Sequence, residues 1–503
     1  QGEGHAVENS IKSATGVQSW EGEVVAIGRV LLVPRVEEVL MSFEKFVKLT
    51  LRQQAWAALT GIPEYEDSPD DRKTWLLSRT SCGQANQIAW LHWWCSGMEC
   101  AIRQGFIESF QATEVAAWLA EALSVARAPL RSVYRGRVET QILFCLRCRD
   151  IASFLCQAAV TSDAAFEWQR QLRYEWLPPT MAGARQTTGM SPRSRDRPSP
   201  KSNKASHGAS ITRTGTRESV DSFMMPTRDS LATMTGDIPS GVIGNSRGAF
   251  GDLRVKMLAF DTSFGFEYYG ASPPLAPAPL TERCTLAVTQ ALAGYVGANL
   301  IGPAGIGKTE TAKDIARSVG VVFMLVRGSD GFDARAAIQL SLGLAEHGCW
   351  VCLDRLERIS LSVLTTLAEH VLLFRRAAMA WLEQIDFMGA HVRLRNSWAL
   401  LATTTGFAAL GHGSSELLPR SLGSLLRPVT LVVPDYCKVV EMLLCMKGFL
   451  TSSTLAMRLA MLFQAAAQQL SLEARRDLFS LHELRAVAAL AGHLHHCRIA
   501  AEC

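Results

Sequence analysis

Gly302-Pro303-Ala304-Gly305-Ile306-Gly307-Lys308-Thr309 fits the pattern G-x-x-x-x-G-K-[ST] at every fixed position. That spacing serves the cradling of a phosphate chain. The glycines let backbone N–H groups curl around phosphate oxygens. A helix opening directly after the loop adds its positive dipole end. The Lys308 ammonium would reach the outer phosphates, and the Thr309 hydroxyl would bind Mg²⁺. The plain alternative is a glycine-rich turn that resembles such a loop by chance. Further along, Trp350-Val-Cys-Leu-Asp354 reads as a buried strand with a carboxylate at its tip. Asp354 is placed to hold Mg²⁺ directly or through water. An ATPase of this kind usually has a Glu next, to orient and deprotonate the attacking water. This chain has Arg355. A cation cannot take that proton, and loss of a general base costs roughly 10²–10⁴ in rate. Glu357 stands two residues on. In a continued strand it would share Arg355's side of the sheet, ~6.6 Å further along, so a stand-in role for it is the weaker reading.

Such residues need a sheet to hold them. Short apolar runs at Gly297–Ile301, Val321–Val326, Trp350–Leu353, Trp398–Ala402 and Val429–Val433 alternate with helical stretches such as Lys308–Val319 and Leu361–Met379. This alternation predicts an α/β fold with a largely parallel sheet. The phosphate loop falls between a predicted strand and a predicted helix, the context it requires. Residues 437–503 return to helix alone and read as a small helical lid. Residues 20–176 read as mostly helical. Val36, Val39, Leu40, Phe43 and Val47 form one stripe, and Trp75, Trp90, Trp93 and Trp94 another. Residues 138–158 and 164–176 continue the pattern. These stripes read as helix–helix core.

The 503 residues are too many for one core, and 48% apolar with 19% charged residues excludes global disorder. No uninterrupted apolar run approaches the ~18–20 residues of a membrane helix. Gln1–Ser10 carries Glu3, His5 and Glu8 around no apolar core, unlike a secretory signal. The chain lacks a starting Met, which reads as a processed or incomplete piece.

The net charge of +4 is localised. Residues 181–230 hold nine Lys/Arg against four Asp/Glu, which leaves the remainder near −1. The surrounding Ser-, Arg- and Pro-rich stretch cannot bury enough surface to offset its ordering entropy. It reads as a flexible, solvated insert, with an electrostatic tether as the functional alternative. It lacks the interleaved aromatics of a single-strand nucleic-acid groove.

The 13 cysteines are scattered and odd in number, favouring reduced thiols in an intracellular compartment. Cys145/Cys148 and Cys349/Cys352 read as plain core or surface residues. In a strand the last two sulfurs would point to opposite faces. His493, His495, His496 and Cys497 look like a ligand cluster, but no second zinc half-site accompanies them.

An ordered motif series resembles the dynein heavy chain family, specifically the C-terminal part of its linker and the first AAA+ module of its motor ring. Phe264-Gly-Phe-Glu-Tyr-Tyr-Gly-Ala-Ser-Pro273 and Pro279-Leu-Thr-Glu-Arg-Cys284 resemble the segment leading into that module. Gly302 to Asp314 resembles its Walker A loop and helix, and Ser329-Asp-Gly-Phe-Asp333 the next strand end. Trp350–Ile359 resembles its Walker B strand, and Phe387-Met-Gly its hairpin insert. Ser415-Glu-Leu-Leu-Pro419, Leu426-Arg-Pro-Val429 and Val433-Pro-Asp-Tyr436 follow in the family's order. Gly22–Arg52 and Phe166–Trp176 resemble linker segments. The wording Thr309-Glu-Thr-Ala-Lys-Asp314 is more axonemal than cytoplasmic.

The resemblance implies ATP and Mg²⁺ as ligands, with Leu280 beside the adenine and Gly302 to Lys308, Thr309 and Glu310 around the phosphates. It implies Asp354, Thr405, Arg427 and Arg485 as catalytic, with Arg427 as a finger toward a neighbouring module and Arg485 as a γ-phosphate sensor. Thr309 and Asp354 would hold the metal. Implied partners are other ring modules and dynein intermediate and light chains, with microtubules reached only through regions absent from this chain. No membrane or nucleic-acid partner is implied. The implied location is the cytoskeleton, in a cilium or flagellum axoneme.

Two departures stand out. The family's Asp-Glu-Phe-Asn is Asp354-Arg-Leu-Glu357 here, and its sensor-one Asn falls in Thr403-Thr-Thr-Gly406. Thr404 or Thr405 stands nearest that Asn, with a hydroxyl but not the amide's reach. The expected organisation is a disordered 1–19, a helical linker region over 20–176 and the insert over 177–252. An AAA+ large α/β subdomain over 253–436 and a small helical subdomain over 437–503 follow. The expected function is an ATP-binding motor module with impaired hydrolysis. The alternative is a non-motor, catalytically degenerate ATP-binding scaffold. A nucleic-acid clamp ATPase is a weaker third reading.

Overall fold

The computed structural model describes residues 13–19, 22–31, 36–63, 68–177, 250–271, 273–328, 332–405, 419–433, 435–469 and 481–502. Two compact units divide it, residues 1–176 with 252–503 and residues 177–251. The second unit contributes only Leu177, Phe250 and Gly251 to the described residues, so the basic stretch read from the sequence as an insert lies outside them. So do Ser329-Asp-Gly331 and Ser415–Leu418 of the motif series.

A buried carboxylate organises the start of the chain. Strands β1 (Ser13–Gln18) and β2 (Val24–Leu31) pair antiparallel. Residues 13–18 are therefore a strand rather than part of a disordered tail, and the next segment starts extended rather than helical. Glu23, just ahead of β2, is buried at 3% exposure. Its carboxylate accepts from Gly83 N at 2.8 Å, Arg137 Nε at 2.9 Å and Tyr268 Oη at 2.9 Å. A charge so enclosed is tolerable only with its cation and donors present.

Helices follow as α1 (Val36–Thr60), α2 (Pro69–Leu76), α3 (Gly83–Gln104), α4 (Ile107–Phe110), a π-helical turn at Gln111–Val115, α5 (Ala116–Ala126), α6 (Ser132–Gln157) and α7 (Phe166–Gln169). The tryptophan stripe is core. Trp90 and Trp94 are buried, and Trp118 makes edge contacts with Trp75 at 5.4 Å and Trp90 at 6.4 Å. The α1 stripe marks a helix but only partly a core. Val36 and Leu40 are 64% and 60% exposed, whereas Leu51, Ala55 and Ala58 pack inward. Within residues 164–176 only the short α7 is helical. Arg173-Tyr-Glu-Trp176 alternates polar and aromatic side chains, the period of a strand. It forms β3 (Arg173–Leu177), in one sheet with β4 (Asp252–Met257) and β5 (Phe260–Ser263).

The α/β region contains α8 (Pro279–Ala293), β6 (Gly297–Ile301), α9 (Lys308–Val319), β7 (Phe323–Arg327), α10 (Ala334–His347), β8 (Trp350–Asp354), α11 (Leu361–Met379), a hairpin of β9 (Gln384–Phe387) and β10 (Ala390–Arg393), β11 (Ala399–Thr404), α12 (Arg420–Leu425) and β12 (Leu426–Thr430). The final helices are α13 (Tyr436–Met446), α14 (Ser452–Gln469) and α15 (Leu481–Glu502). Five parallel strands run in the order β12-β6-β11-β8-β7. The last strand starts three residues earlier than its apolar run. Val432 and Val433 lie beyond it and are exposed.

Side chains alternate between two cores along each central strand. Trp350, Cys352, Ala399 and Leu401 join the core shared with α8, α9 and the helical region. Val351, Leu353, Leu400 and Ala402 join the core under α10, α11 and α12. Cys349 and Cys352 accordingly fall in opposite cores, as the alternation predicts. Helix α9 buries Ala312, Ile315, Ala316 and Val319 on one stripe and stops at Gly320, whose φ of 70° is left-handed. No described helix is long and apolar enough to cross a membrane.

Removing the indole in Trp118→Ala should destabilise the helical region by about 3–5 kcal/mol, measured by denaturant unfolding. A second prediction concerns pH. His347 Nε2 lies 3.2 Å from Glu44 Oε1, joining α10 to α1. Cys349 and then Glu44 push the imidazole up to about 9 from 6.5. His347 and then Lys48 bring Glu44 from 4.5 to about 2. The stabilisation is then complete between pH 4.5 and 6.5, and is lost as pH rises through about 9 or falls through about 2. The gap in Tm between wild type and His347→Ala should narrow from pH 6.5 toward pH 9, modestly, since both groups are partly solvated.

Candidate nucleotide-binding site

The site begins where β6 ends. Gly302 N donates to Thr404 O at 3.2 Å, and Leu431 N to Ile301 O at 2.8 Å, fixing the loop's root between β11 and the end of β12. A Cβ on Gly302 would lie 2.6 Å from Leu431 O and from Ile306 Cδ1, so only glycine fits. Gly305 and Gly307 have φ of 81° and 89°, which L side chains rarely adopt. Pro303, Ala304 and Gly305 form an exposed tip, while Ile306 is buried and pins the loop to the domain.

Lys308 is buried, and its ammonium donates to Gly302 O at 2.8 Å and Pro303 O at 2.6 Å. Burial holds its pKa below the usual lysine value, against the opposing pull of Glu357 and then Asp354, with Arg355 adding to the lowering. Asp354 Oδ1 accepts from Thr309 Oγ1 at 2.9 Å and Thr403 Oγ1 at 2.7 Å. The two residues read as metal ligands are thus in contact. Thr403 Oγ1 in turn accepts from Arg355 N at 3.1 Å.

The chain does not continue as a strand past Asp354, which corrects the sequence-based placement of Glu357. Arg355 adopts φ 58° and ψ 63°, left-handed for a residue with a Cβ. A 3₁₀ turn follows at Leu356–Arg358. The Arg355 side chain is exposed, whereas Glu357 turns back toward the end of β11. Its Oε1 accepts from Thr405 Oγ1 at 2.5 Å.

Alternation along β11 separates the threonines. Thr403 and Thr405 face the carboxylates, and Thr404 Oγ1 donates to Asn299 Oδ1 on β6 at 2.8 Å. Of the two sensor-one candidates, Thr405 is therefore the one brought to the site. Sequence reasoning did not single out Thr403, although the period of a strand ending in three threonines would have found it.

Three expected residues stand apart. Leu280 is half-buried in the first turn of α8. Arg427 is exposed on the edge strand β12, opposite Ala298 and three residues back from the Thr430–Ile301 pair. Arg485 is exposed on α15. No hydrogen bond or ion pair joins either arginine to the loop among the described residues. Glu310 is exposed one residue beyond Thr309. A cleft of about 480 Å³ between α6, Pro277–Glu282 and α13 borders Pro279 but does not include the phosphate loop. Chemistry rather than cavity size locates this site.

A phosphate loop between the central strand β6 and helix α9, with a carboxylate on the tip of β8, defines a P-loop nucleotide-binding module of the AAA+ kind. Residues 264–502 match the family model described as the hydrolytic ATP binding site of dynein motor region. The chain is 35% identical to dynein axonemal heavy chain 10 of Homo sapiens over 243 residues, 48% of this chain and 5% of that protein. It is 26% identical to dynein axonemal heavy chain 6 of Homo sapiens over 479 residues, 94% of this chain and 10% of that protein. Dynein axonemal heavy chain 1 of Mus musculus is 26% identical over 95% of this chain and 9% of its own length. Residues 264–502 are thus similar to the ATP-binding module of the dynein motor region, and the chain is similar to dynein heavy chains along most of its length while spanning at most about a tenth of theirs.

Lys308→Ala should remove the thermal stabilisation that Mg-ATP confers while leaving the unliganded Tm within a few degrees. Differential scanning fluorimetry with and without Mg-ATP reads both.

Proposed function

We propose that this chain is the C-terminal linker region and first AAA+ module of an axonemal-type dynein heavy chain, binding Mg-ATP and hydrolysing it slowly. One observation carries the reading. The phosphate loop and the Thr309–Asp354 contact are intact, while the position after Asp354 holds an exposed arginine in a left-handed turn. Two oxygen donors 2.9 Å apart suit a hard cation such as Mg²⁺.

In this reading residues 20–176 and the sheet β3-β4-β5 are linker and linker–ring junction. Residues 253–436 form the large subdomain and 437–503 the small one. Leu280 borders the adenine, and Gly302 through Glu310 wrap the phosphates. Arg485 senses the γ-phosphate. Arg427, on the edge strand and three residues from the strand tip, faces outward and serves a neighbouring module. Partners are the other ring modules and dynein intermediate and light chains, in a ciliary or flagellar axoneme. Microtubule-based movement belongs to the whole motor, and this module supplies nucleotide-dependent shape change to it.

The second reading is a non-motor scaffold that holds ATP without using it, favoured by the same Arg355. Two measurements separate the readings. Mg-ATP should raise Tm, and phosphate release should be measurable but roughly 10²–10⁴ below that of a module with an intact base. Retained ATP with no release above the Lys308→Ala background would support the scaffold instead. Because the Arg355 side chain is exposed and turned away from the site, Arg355→Glu should leave turnover unchanged. A clear gain would count against that placement of residue 355.

A further inference from the structure

We propose that Glu357 is the general base of this site and that Thr405 is its positioning residue. The proposal rests on the ATP-binding reading above and goes beyond it by naming the group that sustains the slow turnover.

The geometry comes from the left-handed Arg355. A continued strand would carry residue 357 away from the loop. With φ 58° at Arg355 and a 3₁₀ turn after it, the chain reverses within three residues. Arg358 N donates to Arg355 O at 3.0 Å and Ile359 N to Leu356 O at 3.2 Å, which locks the turn. Gly328 permits it, since a Cβ there would lie 2.6 Å from Arg355 O. Leu356 is fully buried and anchors the turn in the core beneath α10 and α11.

Glu357 thereby reaches the end of β11, where Thr405 Oγ1 donates to its Oε1 at 2.5 Å. Its other oxygen, Oε2, is buried with no hydrogen-bond partner among the described residues. A carboxylate oxygen so placed gains strongly from a donor such as water.

The neighbouring groups are less suited. Asp354 Oδ1 already accepts from Thr309 and Thr403, in contact with the proposed metal ligand. Arg355 is a cation and points to solvent. Thr403 and Thr405 are hydroxyls that donate to carboxylates.

In the step, the water oxygen bonds to the γ-phosphorus of ATP as its proton passes to a Glu357 oxygen. The bond from that phosphorus to the β–γ bridging oxygen breaks, and its electron pair stays on the oxygen that becomes the terminal oxygen of ADP. The proton leaves Glu357 to solvent or to the released phosphate. The hydrogen bond from Thr405 occupies one carboxylate oxygen and weakens it as a base, consistent with slow rather than absent turnover.

The test uses the full chain with Mg-ATP, reading phosphate release together with binding of a fluorescent ATP analogue. Glu357→Gln keeps an acceptor for the Thr405 hydroxyl and nearly the same volume. It should bind nucleotide within about twofold of wild type and lose roughly 10²-fold in turnover, or fall to the Lys308→Ala background. Glu357→Ala should be similarly slow and should recover part of its turnover with added formate, a response that a purely structural carboxylate would not give. Wild-type turnover in Glu357→Gln, no formate response, or wild-type release no faster than Lys308→Ala would each overturn the proposal. Failure of the wild-type chain to bind the analogue would be a different result, overturning the ATP-binding reading and this proposal with it.

Discussion

One carboxylate oxygen holds the nucleotide site together. Asp354 Oδ1 accepts hydrogen bonds from the first turn of α9 and from the end of β11 while sitting on the tip of β8. Three separate stretches of sequence meet at that atom. The phosphate loop is in turn tied to β11 through Gly302 N and Thr404 O. If this contact were lost, the loop would keep its glycines but not its position relative to the tip of β8. Hydrogen bonds to an ionised acceptor are the stronger kind, which suits a joint that several elements share.

The left-handed turn at Arg355 is the second constraint. A residue with a Cβ in that conformation costs on the order of 1–3 kcal/mol and persists only where its surroundings over-determine it. Here they do. Arg355 N is held by Thr403, Arg355 O by Arg358 N, and Leu356 is fully buried. The turn both removes the arginine side chain from the site and delivers Glu357 to it.

Helix α9 links this site to the N-terminal helical region. Its first residues carry Lys308 and Thr309, and its last turn is held from outside. Tyr174 Oη donates to Ser318 O at 2.9 Å, while Gly265 N and Glu267 N donate to Val319 O and Gly320 O at 3.0 and 2.9 Å. Tyr174 belongs to β3, and the 264–269 stretch leads into the α/β region from β5. The core under α9 is continuous with that of the tryptophan-rich helices. The phosphate loop and the helical region are thus attached to opposite ends of one rigid element.

By itself the sequence determined the local chemistry and the order of elements. The phosphate loop, the helix Lys308–Val319, the helix Leu361–Met379 and the strand ending at Asp354 were legible because each carries its own period, glycine signal or motif. Alternation likewise placed Cys349 and Cys352 in opposite cores. What it did not determine was anything that depends on a partner far along the chain. The strand at Tyr174–Trp176 sits beside a helix in an aromatic-rich stretch and pairs with β4, which lies beyond the 177–251 unit. The hairpin before α1 turns on a buried Glu23 whose donors come from Gly83, Arg137 and Tyr268. The exposed half of α1 has the same apolar period as the buried half, because a period records a face and not what covers it. Glu357 was visible as a carboxylate two residues from its expected place. Only the tertiary structure decided that a left-handed turn, enforced by buried Leu356 and the threonines of β11, brings it to the site. Backbone sign at a single residue is set by such distant contacts, and no local sequence signal encodes it when the residue is an arginine.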